Sequence, residues 1–117
     1  MNLFLDGTWQ PGHGPELISF NPATSRAIWR GNEASASDVD AAFDSAAKHQ
    51  SSWAELNVSE RLSVLQRFVE LVQQQRDELA NVISREVGKP QWDALTEINA
   101  VAGKLAATES AMKERRG

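Results

Sequence analysis

A chain of 117 residues is long enough to bury one core and too short for a cofactor domain beside a separate substrate domain. Its net charge of −4, with both signs interspersed along the helical regions, makes no electrostatic case for nucleic acid. The complete absence of cysteine removes disulfides, thiolate metal sites and thiol nucleophiles together.

No run approaches the ~18 apolar residues of a membrane span, and Met1 to Gln10 lack the basic-then-apolar order of a secretion leader, so a soluble cytoplasmic chain is expected. Short β-like runs at Leu3 to Leu5, Leu17 to Phe20 and Ala27 to Arg30 are separated by Asp6–Gly7 and by Pro11 to Pro15, a pattern of small hairpins. Asn21-Pro22-Ala23-Thr24 places Asn first and Pro second in a turn, where the fixed φ of proline suits type I geometry. A reversal between the second and third strands follows.

From Ser35 the pattern becomes helical. Ser35 is placed to cap the backbone amide of Asp38, and Val39, Phe43, Ala46, Ala47 and Gln50 recur at helical spacing, giving a first helix from about Ala36 to Trp53. Asn57 with Glu60 three residues on opens a second helix. Leu62, Leu65, Val69 and Val72 then form one stripe, which Val64, Phe68 and Leu71 widen enough to imply burial on two sides. The polar run from Gln73 to Asp77 predicts a kink or brief break before Leu79, Val82, Ile83 and Val87. Gly88 has the character of a helix C′ residue and Pro90 of a first-turn residue. The third helix, about Pro90 to Glu114, carries Trp92, Leu95, Ile98, Val101 and Leu105 on its apolar side, with Ala100, Ala102, Gly103, Ala106 and Ala107 thin enough for close helix approach. The expected class is mainly α: three long helices behind short hairpin strands, with a β-hairpin segment at 1–34 and a helical segment at 35–117 forming one incomplete domain.

Little in this pattern carries chemistry. His13 and His49 lack metal-ligand spacing and read as surface residues. Gly7, Gly12 and Gly14 match no phosphate-loop motif and read as turn glycines. No Gly-x-Ser-x-Gly elbow occurs, and the helical carboxylates Glu60, Glu70, Asp77, Glu78 and Glu86 read as solvated charges. The basic end Lys113 to Arg116 suits the negative pole of a helix. Trp9, Trp29, Trp53 and Trp92 are expected to pack helices onto hairpins. Glu97 occupies a position on the third helix open to burial, where it would need a partner or a cation.

Taken in order, Leu5-Asp6-Gly7 with Trp9, the Asn21 to Thr24 turn, Asp38 to Ala42, Trp53, Arg61 with Leu65, and Glu86-x-Gly88-Lys89-Pro90 resemble the beginning of the aldehyde dehydrogenase superfamily. Trp29 to Asn32 followed by Ala34 and Ser35 look most like the N-succinylglutamate 5-semialdehyde dehydrogenases of arginine catabolism. The resemblance implies a longer oligomeric enzyme that oxidises an aldehyde to a carboxylate with NAD(P), through a cysteine thiolate and a glutamate-activated water. It also implies that the catalytic cysteine, base glutamate, oxyanion asparagine and cofactor glycines fall outside this stretch, so no catalytic, cofactor-binding or metal-ligating residue is assigned here. Some members hold a structural cation with two main-chain carbonyls and a helical acid, which correspond to Ser19, Phe20 and Glu97.

Two readings follow. In the first the chain is an N-terminal dehydrogenase fragment, inactive alone. In the second it is a self-associating helical interaction module without enzymatic activity. Bare apolar surface contributes about 25 cal/mol per Å² on burial, so a dimer or higher oligomer is expected, with exchange of helices as one route.

Overall fold

The computed structural model describes residues 3–115. They form β1 (Leu3–Leu5), β2 (Thr8–Gln10), β3 (Glu16–Phe20), β4 (Ala27–Asn32), α1 (Ala36–Glu55), α2 (Val58–Gln74), α3 (Arg76–Val87) and α4 (Gln91–Arg115). The chain divides into two compact units, one running as far as Asn57 and the other beginning at Val58.

In the first unit the strands make two antiparallel hairpins, β1 with β2 and β3 with β4. The expected three strands become four, because Asp6 and Gly7 both take positive φ, 48° and 80°. That pair is the two-residue turn that folds a strand straight back, so Leu5 faces Thr8 and Phe4 faces Trp9. The Asn21 turn closes the second hairpin. Asn21 O accepts from Thr24 N at 3.3 Å and Ser25 N at 2.7 Å, its Oδ1 accepts from Ala23 N at 2.9 Å, and Ser25 reverses the chain at φ 56°. The turn lies where the Asn-Pro sequence predicts it.

In the second unit α2 and α3 both pack on α4. The expected three helices become four because Gln75, at φ −102° and ψ 15°, leaves helical geometry. The hydrogen-bond ladder still passes it, with Gln75 N donating to Leu71 O and Leu79 N to Gln75 O. The polar run therefore bends a nearly continuous helix at one residue. Gly88 ends α3 in the left-handed region, its N–H bonded to Ser84 O at 2.9 Å, and the carbonyl of Pro90 accepts from Asp93 and Ala94 at the start of α4.

The core is small: Val72, Ala80, Ala94 and Ile98, flanked by Leu79, Ile83 and Leu95. Ala80 and Ala94 are fully buried, and side chains this short bring α3 close to α4. Several expected burials are absent. On α4 the buried stripe is Ala94, Ile98 and Ala102, while Trp92 is 70% exposed and Val101 45%. On α2 only Val72 is buried, and Val64, Leu65, Phe68 and Leu71 stay exposed, so two-sided burial does not occur among the described residues. Phe43 of α1 is 73% exposed. The four tryptophans are exposed as well, and Trp9 meets Phe4 of its own hairpin, ring centres 5.2 Å apart.

Candidate functional site

Among the described residues the densest polar cluster lies at the start of α1. Ser35 caps the helix, its Oγ accepting from Asp38 N at 3.2 Å, while Asp38 returns a bond by accepting from Ser35 N at 2.8 Å. Asp38 also accepts the backbone N–H of His13 at 2.9 Å and its Nδ1–H at 2.7 Å. Asp38 is the one buried charged side chain among the described residues. Backbone donation from Ser35 and then from His13, with the imidazole bond adding to both, holds its carboxyl well below the usual aspartate range.

The loop that presents His13 is set by its glycines. Gly14 N donates to Glu33 O at 2.9 Å, Glu33 N donates to Pro15 O at 2.9 Å, and Asn32 Nδ2 donates to Gly14 O at 3.0 Å. A Cβ on Gly12 would stand 2.2 Å from Glu33 O and one on Gly14 2.9 Å from it. These glycines permit one strand of backbone to lie against another. The same contact means that Gly12-His13-Gly14 offers no cradle for the pyrophosphate of a nucleotide, so no step through NAD(P) is derived from these residues.

Serine, histidine and aspartate meet here without forming a catalytic triad. Ser35 Oγ donates to the carboxylate, at 2.8 Å, rather than to an imidazole nitrogen, so nothing activates it as a nucleophile. Both oxygens of Asp38 are engaged, which leaves the carboxylate neither a free base nor a ready metal ligand. The cluster is a structural clasp. The sequence indicates its Ser35–Asp38 half through capping spacing. His13 carries no such signal, since it enters from 25 residues away.

His13 is 67% exposed despite its bonds, and His49 bonds its own helix, Nδ1 to Ser45 O at 2.8 Å, with Nε2 3.5 Å from Asp6. Glu97, at a position open to burial, is not buried: it is 47% exposed and paired with Lys89, which also meets Asp93 at 3.0 Å. Hydrogen bonds that Lys89 Nζ donates to Glu97 first and to Asp93 second raise its pKa. The ion pair meets the charge need for which a cation would otherwise be invoked. Ser19 and Phe20 flank a β-bulge in the first unit, far in sequence from Glu97 in the second. No cluster of three metal-binding side chains occurs among the described residues, and no helix there is long and apolar enough to cross a membrane.

The second unit carries a groove of about 220 Å³ between α2 and α4, lined by Leu65, Phe68, Val69, Val101 and Leu105, with Lys104 and Thr108 beside them. Its lining is almost wholly apolar, and it holds no constellation that could transfer a proton or stabilise an anion.

The sequence profile of the aldehyde dehydrogenase family matches residues 9–117. The chain belongs to this family. It is 44% identical over 115 residues to an N-succinylglutamate 5-semialdehyde dehydrogenase of Paraburkholderia xenovorans, covering 98% of this chain and 24% of that protein. Its fold is similar to that of an NAD-dependent benzaldehyde dehydrogenase from Corynebacterium glutamicum, with a TM-score of 0.85 and 30% identity over 93% of this chain and 24% of that one. An aldehyde dehydrogenase from Bacillus cereus gives a TM-score of 0.81 at 30% identity, over 87% of this chain and 22% of that one. The chain thus spans about a quarter of the length of the relatives it matches, and the two hairpins and four helices are a recurrent part of aldehyde dehydrogenases.

Proposed function

We propose that this chain is the N-terminal part of an NAD(P)-dependent aldehyde dehydrogenase acting on N-succinylglutamate 5-semialdehyde in the cytoplasm, and that alone it catalyses no oxidation. In the complete reaction the aldehyde gains oxygen from water and loses a hydride to the nicotinamide. This segment contributes scaffold, its hairpin part at 1–34 and helical part at 35–117 forming one incomplete domain. The observation that carries the reading is the 44% identity to a succinylglutamate semialdehyde dehydrogenase across nearly the whole chain. The inactivity is supported by composition, since no cysteine is present to attack an aldehyde, and by a clasp whose serine and carboxylate bond each other.

The test is a chimaera in which this chain replaces the matched quarter of the Paraburkholderia xenovorans enzyme, assayed beside the isolated chain for nicotinamide reduction with succinylglutamate semialdehyde. The chimaera is expected to turn over and the isolated chain to give none. A folded chimaera unable to oxidise the aldehyde defeats the dehydrogenase reading, and turnover by the purified chain defeats the inactivity.

A second reading, a self-associating helical module, is favoured by the exposed stripe of α2. Its discriminating measurement is the solution mass of the isolated chain across a concentration series.

A further inference from the structure

His49 of α1 reaches two acceptors at once. Its Nδ1 lies 2.8 Å from the carbonyl oxygen of Ser45, one helical turn earlier, and its Nε2 lies 3.5 Å from Oδ1 of Asp6 in the β1–β2 turn. A carbonyl oxygen offers only lone pairs, so Nδ1 must carry a proton there. A neutral imidazole has one ring proton, and its second nitrogen would then turn a lone pair toward a carboxylate. Only the imidazolium donates in both directions. The two contacts differ in strength, since 2.8 Å is a full hydrogen bond and 3.5 Å is at the limit of one, so a neutral ring keeps Ser45 and gives up Asp6. Among the described residues His13 meets an acceptor through Nδ1 alone, and the same conflict does not arise.

We infer that His49 is a proton-dependent clamp between α1 and the β1–β2 turn, closed when the ring is charged and released when it is neutral. The turn it holds is under local strain. Asp6 takes φ 48°, a left-handed conformation uncommon for a residue with a side chain, and Phe4 and Trp9 behind it are each 58% exposed, so little packing fixes the hairpin. The charged groups around the ring are Asp6 from the turn and, on α1 itself, Lys48 and Asp44, which border the cleft beside Asp6. Lysine and aspartate do not change charge between about pH 5 and 8, where histidine does. The pair of Lys48 with Asp6, at 3.8 Å, therefore persists while that of His49 does not. The ring is the variable half of a two-cation grip on one carboxylate. The grip is complete below the histidine range and weakens as pH rises through it.

The test takes the 117-residue chain and reads nitrogen-15 spectra of the histidine rings together with amide exchange at Thr8, which closes the turn opposite Leu5. At about pH 8 His49 should hold its proton on Nδ1 and leave Nε2 bare. The protection of the Thr8 amide, corrected for the intrinsic exchange rate, should fall roughly two- to fivefold between about pH 5.5 and 8, the scale of one exposed ion pair. Asp6→Asn should abolish that fall, and asparagine accepts a left-handed φ, so the turn itself is kept. His49→Gln, a good helix former without a charge, should abolish it as well. His13 is a second histidine in the same unit, and these two substitutions separate its effects from those of His49. A Thr8 protection that ignores pH overturns the inference, as does a fall that survives either substitution. A neutral His49 with its proton on Nε2 overturns it too, since the ring would then keep Asp6 and release Ser45. The ring spectra need no variant, so a substitution that unfolds the chain leaves the decision to them.

Discussion

Asp38 binds His13 twice, through the backbone N–H at 2.9 Å and through Nδ1 at 2.7 Å, so one carboxylate joins the first turn of α1 to a loop 25 residues earlier. The same side chain completes the capping box with Ser35, which makes helix start and loop position a single event. The consequences are local to the first unit and can be measured there.

Acid should loosen the clasp. The carboxyl of Asp38 is held below its unfolded value, so its contribution is full above the ordinary aspartate pKa of about 3.9 and is lost as the pH falls toward the folded value. Carbon-detected titration of the isolated chain should find Asp38 still ionised after ordinary carboxyls have protonated; titration near 4 would contradict the geometry. Asp38→Asn should speed hydrogen exchange at the His13 amide, and Ser35→Ala should cost about 1 kcal/mol as a lost cap.

Two glycine substitutions should act in opposite directions. Gly12→Ala drives a methyl to 2.2 Å from Glu33 O, a backbone atom with little freedom to retreat, and should destabilise by about 2–3 kcal/mol in urea melts followed by tryptophan fluorescence. Gly103 lies exposed within α4, and a methyl there would meet nothing within 4 Å, so Gly103→Ala should stabilise by about 0.5–1 kcal/mol. Equal effects at the two sites would refute the close approach at Gly12.

Lys89 should titrate late. Its folded pKa is raised above 10.5, chiefly by Glu97 and then by Asp93, so the stabilisation is complete at neutral pH and disappears only as alkaline pH passes through the folded value. Glu97→Gln should move the lysine titration back toward its ordinary range further than Asp93→Asn does, as read by NMR of the ε-amine. If the two substitutions have the same effect, Glu97 is not the principal partner.

Exposed apolar stripes should make the isolated chain associate. Light scattering across a concentration series is expected to rise above the 12.9 kDa of one chain, and Phe68→Glu should reduce the rise. A constant monomer mass would remove the self-association reading and leave a scaffold segment whose own helices suffice in water.

Most of the elements were legible from local signals. Ser35 three residues before Asp38 marks the start of α1, Gly88 marks the end of α3, and Asn21-Pro22 marks the turn of the second hairpin, each because the controlling group lies within a few residues of its target. The missed strand β2 has a local explanation too: Asp6-Gly7 is a two-residue reversal, and reading it as a separator alone hides the strand behind it. The break at Gln75 is visible as polarity, although one residue of altered ψ is enough to divide the helix and preserve its ladder.

Burial was far less legible, and for a physical reason. A periodic apolar face states which residues need cover without supplying the cover. Phe43, Phe68, Trp92 and Val101 fit such faces by spacing and remain exposed, while Ala80 and Ala94 carry the tightest contact. Glu97 similarly sits at a position open to burial and instead meets Lys89 in the open.

The sequence by itself determined the start of α1, the end of α3, the Asn21 turn, the family, and the lack of any thiol chemistry, because those depend on residue type and on neighbours a few positions apart. Tertiary structure alone decided that His13 closes on Asp38, that alanines rather than large side chains form the centre of the core, and that the stripe shared by α2 and α4 runs out of cover at Phe68. Those outcomes depend on where the path of the chain brings distant segments together and on how far each packed element extends.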